Sequence, residues 1–166
     1  MRRYYLVSLW LLWAAGAGWG CGGAANVCGG SQAALVIGAG YPAFQALPDT
    51  PQLELHFGPQ GLYYVEVDLE AQGLWTVVSD PSDAPMLSLS LEQDGARVAG
   101  YVSRPRPFRP IDPSRSVLPT EFVIFDSLEP QTFINRPSKL VALIQDSCGR
   151  TASATAELTV VDTHPG

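Results

Sequence analysis

Charge is scarce in this chain, and positive charge scarcest. Of 166 residues only 16% are charged, with 10 Lys plus Arg against 16 Asp plus Glu, for a formal net charge of −6. That balance excludes a basic nucleic-acid footprint over the whole chain, so no nucleic-acid partner is expected. Sparse charge, with 16 Gly and 14 Pro, excludes a coiled coil or long-helix protein. The 46% hydrophobic content excludes a wholly disordered chain. Cysteine is limited to three residues, histidine to His56 and His164, and no Cys-x-x-Cys occurs. The sequence therefore offers no zinc site, and no metal or cofactor is expected. An enzyme needs a convergent set of reactive groups. Within the body of the chain the one histidine is His56, which shares the polar side of a short alternating run with Glu54, and no nucleophile elbow is present. No catalytic residue is assigned, and the chain is read as non-enzymatic.

What the chain does have begins at its N-terminus. After Met1-Arg2-Arg3 it runs from Tyr4 to Gly20 without a charge. Leu6, Val7, Leu9, Trp10, Leu11, Leu12 and Trp13 are apolar, and Ala14, Ala15, Gly16, Ala17 and Gly18 lead toward Cys21. A basic start, an apolar middle and a small-residue exit are the layout of an export signal, so residues 1–20 are read as a signal peptide. The run is too short and too Gly-rich at its end for a membrane span, which needs about 20 predominantly apolar residues. Small residues running into a cysteine resemble the lipobox of bacterial lipoproteins. Gly20 fits that box, whereas Gly18 stands where Leu is usual and Trp19 is bulky. The resemblance implies cleavage before Cys21, a thioether-linked diacylglycerol and palmitate-type acylation there, and a membrane contact made through that lipid. The alternative is ordinary secretion, or a periplasmic form, after cleavage following Ala17 or Gly20. Loss of Arg2 and Arg3 takes the formal charge from −6 to −8. Such a surface has little affinity for anionic lipid, which leaves attachment to the anchor. Gly22 stands where an inner-membrane retention signal commonly has Asp, which points to the outer membrane.

With Cys21 lipidated, Cys28 and Cys148 remain as a pair. In an exported protein a disulfide between them is expected, against the alternative of two buried free thiols. Residues 21–32 (CGGAANVCGGSQ) form a Gly-rich tether. Seven residues from Cys21 to Cys28 span at most about 25 Å, so the domain sits close to its membrane. The domain itself is assigned to residues 33–162, with a tail at 163–166.

From Ala33 onward the sequence reads as strands and turns. Residues 34–37 form a short apolar strand. Leu53, Leu55 and Phe57 alternate with Glu54 and His56, and Tyr63, Val65, Val67 and Leu69 alternate with Tyr64, Glu66, Asp68 and Glu70. Between these runs, Gly58-Pro59-Gln60-Gly61 has turn composition, and a bulge or a five-residue loop must set the register. Residues 74–78 read as another strand. Leu87, Leu89 and Leu91 form a hairpin through Asp94-Gly95 with Val98, Gly100 and Val102, which pairs Leu91 with Val98 and Glu92 with Arg97. Residues 103–119 form a long Pro-rich loop carrying Arg104, Arg106, Arg109 and Arg115. Residues 122–125 and 140–144 are continuous apolar runs, expected to be buried on both faces. Ala154, Ala156, Leu158 and Val160 alternate in the last strand. Asp49, Asp80, Asp83, Asp94 and Asp126 stand in turn contexts, and Asp80 with Asp83 offers too few oxygens for Ca²⁺, which takes about 6–8.

About eight short strands with frequent turns predict an all-β, immunoglobulin-like antiparallel β-sandwich of about 7–9 strands. In that topology the first strand runs parallel beside the last, bringing the starts of both to one end, Cys28 and Cys148 with them. Closing so long a loop would stabilise the fold by roughly 4–5 kcal/mol in the chain-entropy account.

Four stretches carry a further likeness. Residues 37–40 (IGAG), 44–49 (FQALPD) and 58–64 (GPQGLYY), with 146–152 (DSCGRTA) before the last strand, resemble uncharacterised lipoproteins of myxobacterial type. The likeness covers most of residues 34–161. This chain departs from the pattern where Leu62 replaces a second Gly and Tyr64 replaces a common His. The resemblance implies an exported, immunoglobulin-like, non-enzymatic domain and supplies no activity.

Candidate contacts follow from the less ordinary residues. In the Arg/Pro loop, Arg104, Arg106, Phe108 and Arg109 would face outward toward an acidic protein partner or an anionic glycan; a merely stiffened crossover loop is the plainer reading. Tyr64 and Tyr101 fall on the polar side of their strands, whereas Tyr63 and Trp75 are expected in the core. The function expected is that of a cell-envelope lipoprotein acting as a non-catalytic binding or scaffolding domain. The alternative is a carbohydrate- or peptide-binding module, and an envelope hydrolase is the least favoured reading.

Overall fold

The structure, a computed structural model, describes residues 32–76, 80 and 83–163. The expected signal peptide, Cys21, Cys28, all but the end of the tether, and residues 164–166 lie outside the described residues. No α-helix occurs among those described; a 3₁₀ turn spans Pro130–Thr132.

Among the described residues eleven strands form two sheets: β1 (Ala34–Ala39), β2 (Gln45–Ala46), β3 (Gln52–Glu54), β4 (His56–Phe57), β5 (Tyr63–Gln72), β6 (Met86–Gln93), β7 (Ala96–Pro105), β8 (Arg109–Pro110), β9 (Arg115–Ile124), β10 (Pro137–Gln145) and β11 (Thr151–Val161). One sheet has the order β2-β1-β5-β9-β8, with β4 also on β5; the other has β3-β11-β10-β6-β7. The fold is an all-β sandwich, as the alternation predicts. Val65, Val67, Leu69 and Val123 of the first sheet meet Leu87, Leu89, Leu91, Leu140, Ala142, Ile144 and Val160 of the second, all essentially inaccessible to water. Burial of each such leucine or isoleucine stabilises the fold by about 1.5–3 kcal/mol.

The expected single strand over residues 53–57 divides at Leu55. β3 runs parallel to β11, with Leu53 opposite Val160, while β4 joins β5 in the other sheet. It is thus β3, and not β1, that runs parallel beside the last strand; β1 pairs antiparallel with β5, Ala34 opposite Gln72. The expectation for the first strand is corrected accordingly. The physical reason is the broken stretch between β1 and β3. Gly40 has φ +91°, and Pro42, Pro48 and Pro51 interrupt any continuous ladder. Gly38 has no room for a side chain, because a Cβ there would lie 2.4 Å from the Gln45 carbonyl oxygen.

The turn after β4 adopts the five-residue solution, pairing Phe57 with Tyr63 and His56 with Tyr64. The Asp94-Gly95 hairpin forms with φ of 51° and 79° at the two turn residues, and Glu92 faces Arg97 as expected. One step further the register slips: Leu91 faces Ala99, not Val98. An extra residue in β7 sends the next side chains to the other face, until a second shift brings Arg104 opposite Leu87. Ala99 and Tyr101 turn inward, and Val102 stands 69% exposed.

Other expectations are corrected too. Residues 74–76 continue no strand, and Trp75 is exposed. The runs 122–125 and 140–144 are not buried on both faces, since Phe122, Ile124 and Leu143 reach solvent. The Arg/Pro stretch is not all loop. β7 extends to Pro105, β8 pairs with β9, and only residues 106–108 cross between sheets.

Candidate functional site

Strand parity brings four ring or apolar side chains to one corner of the first sheet's outer face. The five-residue turn fixes His56 opposite Tyr64, and Tyr64 in turn faces Ile124 of β9. The His56 and Tyr64 rings stack, with centroids 5.3 Å apart and planes inclined by 29°. Phe122 presents its edge to Tyr64 at 5.0 Å and 75°. The Gly58–Gly61 turn closes over this corner through Gly58 N–H to Leu62 O at 2.9 Å and Gly61 N–H to Gly58 O at 2.9 Å. Gly58 lies against the Tyr64 ring, where a Cβ would come within 3.2 Å of it. The result is a mainly apolar hollow of about 290 Å³, bounded by Pro59, Gln60, Leu62, Tyr64, Phe122 and Ile124. Phe122 is 44% exposed and Ile124 37%, which is unusual for a strand pair whose other face fills the core.

Tyr64 is therefore where the sequence places it, half-buried and facing outward. Tyr101 is not: the β7 bulge buries it to 7% exposure, and it cannot form an open platform with Tyr64. The guanidinium carbons of Arg104 and Arg106 lie 4.9 and 5.3 Å from the Tyr101 ring centroid. The Arg106 Nε donates to both oxygens of the buried Glu121, at 3.1 and 3.0 Å. Burial, then the negative charge of Glu121, pushes the Tyr101 phenol well above the ordinary tyrosine range, with Arg106 opposing. The Tyr101 hydroxyl itself has no hydrogen-bond partner among the described residues.

Phe108 also departs from expectation. It is 4% exposed, packs in the core, and donates its N–H to Thr76 O at 3.3 Å. The segment that carries it must bridge the two sheets, and burying an aromatic ring anchors that crossing. Arg109 lies outside, 5.8 Å from the Tyr41 ring, and donates to the Tyr41 hydroxyl at 3.2 Å. Arg115 pairs with Asp112 at 2.7 Å and reaches Glu70 at 3.6 Å. Arg104 and Arg106 thus share the Tyr101 ring, whereas Arg109 stands at Tyr41 and Arg115 at Asp112, so the four do not converge on one ligand position.

Several acidic residues assigned to wet faces or turns prove to be structural. Asp68, 4% exposed, accepts the N–H groups of Tyr41 at 2.8 Å and Thr120 at 2.7 Å. It sits where the β5–β9 register shifts, satisfying amides the ladder leaves unpaired. Asp146 accepts the N–H groups of Cys148 at 3.0 Å and Arg150 at 2.9 Å, and the Arg150 side chain at 2.8 Å. Cys148 is half-buried in this turn.

Pro59, Gln60, Leu62, Phe122 and Ile124 line the hollow, with His56 stacked on Tyr64 beside it, and sequence reasoning did not assign these residues to a site. The signal was present in the parity of residues 56–57 and 63–64 around a turn of fixed length. Among the described residues no group of three His, Cys, Asp or Glu side chains converges on a point. Neither a known protein family nor a curated protein matches this chain.

Proposed function

We propose that this protein is a lipid-anchored module of the cell envelope whose immunoglobulin-like sandwich binds and does not catalyse. The observation that carries the reading is the exposed aromatic hollow at Tyr64. Tyr64 and Phe122 meet at a steep angle, forming an apolar corner of the size of one sugar ring, with Gln60 at its rim for hydroxyl groups. A pyranose places its C–H face on such rings and keeps its hydroxyls in water. His56 supports this reading over a hydrolase, because what it touches is the face of Tyr64.

The immunoglobulin-like assignment is supported by strand order. β1-β5-β9-β8 corresponds to A-B-E-D and β11-β10-β6 to G-F-C, with β7 as an added strand beside C. A bridge from Cys28 to Cys148 is supported by where the described chain begins. Ala34 pairs with Gln72, and Trp75, just beyond, donates its N–H to Asp146 in the Cys148 turn at 2.9 Å. The start of β1 and that turn therefore share one end of the sandwich, and the six residues from Cys28 to Ala34 span up to about 20 Å. The lipid on Cys21 and the outer-membrane location rest on the leader's sequence.

Two experiments test the proposal. Intact mass of the protein from an envelope fraction should show an acylated chain beginning at Cys21 that gains two hydrogens on reduction; a lipid-free chain would remove the anchor. Titration with monosaccharides and envelope oligosaccharides, followed by amide chemical shifts, should perturb residues 58–64 and 122–124. Tyr64→Ala should weaken that binding by roughly tenfold. Binding that Tyr64→Ala leaves unchanged would sink the sugar reading.

A further inference from the structure

The second sheet ends in a strand that is only partly covered. β10 pairs with one edge of β11 from Thr151 to Thr159, whereas β3 pairs with the other edge over Thr159–Val161 alone. The direction of the remaining backbone groups follows from alternation. Thr159 N–H donates to Pro51 O at 3.0 Å and Val161 O accepts from Leu55 N–H at 2.8 Å, so odd-numbered residues turn their N–H and C=O groups to the β3 side. Val160 O accepts from Asn135 at 2.8 Å on the β10 side, as the same alternation requires. The N–H and C=O groups of Ser153, Thr155 and Glu157 therefore point to an edge that no strand pairs with among the described residues.

That edge opens into a cleft of about 580 Å³, whose other walls are β1 at Leu35–Ile37 and the segment from Leu47 to Thr50. The volume falls within the range of roughly 300–1,000 Å³ typical of ligand clefts. Natural edges are commonly blunted by proline, lysine or a bulge. Over Thr151–Leu158, β11 has none of these. Its inward side chains next to the cleft are the small Ala154 and Ala156, which leave room beside Leu35 and Ile37. The charged residues lining the cleft are Asp49 and Glu157, both acidic. Lys139 stands opposite Glu157 across the β10–β11 ladder, with no ion pair between them.

We propose that the open edge of β11 is a docking site for an extended peptide strand from another protein. The peptide supplies main-chain hydrogen bonds to Ser153, Thr155 and Glu157. At alternate positions it carries small or β-branched apolar residues toward Leu35 and Ala156, and between them Lys or Arg toward Asp49 and Glu157. Main-chain pairing gives affinity, and the alternating side chains give selectivity. This site lies apart from the Tyr64 hollow and does not depend on it.

The test uses a blocked heptapeptide of alternating lysine and valine, titrated into the purified protein and followed by amide hydrogen exchange. The expected result is slowed exchange at Ser153, Thr155 and Glu157. Thr155→Pro removes one of the three N–H groups aimed at the peptide and none used by β10, a substitution an edge tolerates; it should weaken binding about tenfold. Should that variant fold poorly, a peptide N-methylated on the residues facing β11 provides the same test and should not bind. Binding without protection of those amides overturns the proposal, as does equal binding by the N-methylated peptide or by a glutamate–valine heptapeptide. Slow exchange at the three amides in the free protein also overturns it, because a segment of the chain itself would then cover the edge.

Discussion

The carboxylate of Asp146 accepts the backbone N–H of Trp75 at 2.9 Å, joining the segment that follows β5 in one sheet to the turn that follows β10 in the other. The same side chain, fully enclosed, holds Arg150 at 2.8 Å and two amides of its own turn. One carboxylate thus fixes the end of the sandwich at which Cys148 stands. Asp146→Ala should cost about 3 kcal/mol, because it leaves buried donors and a half-enclosed guanidinium without an acceptor. Urea unfolding monitored by circular dichroism measures the loss; a cost under about 0.5 kcal/mol, the level of an ordinary surface substitution, would show that the carboxylate fixes nothing.

Gly100 makes the bend of β7 possible. Its φ is +110°, and a Cβ would lie 2.1 Å from the Leu89 carbonyl oxygen. Gly100→Ala should destabilise the protein by about 3 kcal/mol, through backbone displacement as well as the disfavoured φ. A Tm lowered by several degrees, with the native m-value retained, is the expected signature.

Arg106 and Glu121 form a pair in which the acid is buried and the base is partly in water, with 9% and 32% of their side chains exposed respectively. Arg106→Met should cost about 2 kcal/mol, chiefly by stranding Glu121. Adding Glu121→Leu should restore part of that loss, so the double variant is more stable than the sum of the singles predicts. A double-mutant cycle with no coupling would contradict the pairing.

Tyr101 contributes to the alkaline limit. Its folded-state pKa is raised above the unfolded value of 10.0, first by burial and then by Glu121. A raised value means that the native state binds the proton more tightly, so this contribution is complete below pH 10 and is lost as pH climbs past it. Ultraviolet titration should show one phenol failing to ionise with the others until the protein unfolds. Tyr101→Phe should abolish that late step and flatten the loss of stability above pH 10.

Local signals were legible wherever a few neighbouring residues decide the backbone. The Asp94-Gly95 hairpin, the alternation of β5 and the five-residue turn at Gly58–Leu62 all depend on short-range geometry. Tyr64 was legible for the same reason, because the turn length sets its face. Tyr101 and Phe108 were not. An extra residue near the start of β7 inverts the parity of Ala99 and Tyr101, and side-chain type carries no mark of it. The crossing that buries Phe108 depends on the distance between two sheets.

The class of fold is written in the chain's local pattern: apolar residues repeat with period two, and Gly and Pro close the turns before any helix can form. Tertiary structure alone decided which acids are buried, where the first edge divides between sheets, and which backbone groups on β11 are left open. Those outcomes depend on residues far apart in the chain meeting in space. Asp68 finds Thr120, Asp146 finds Trp75, and β3 stops short of Glu157. Periodicity records what each residue prefers, whereas only packing selects the partner it meets.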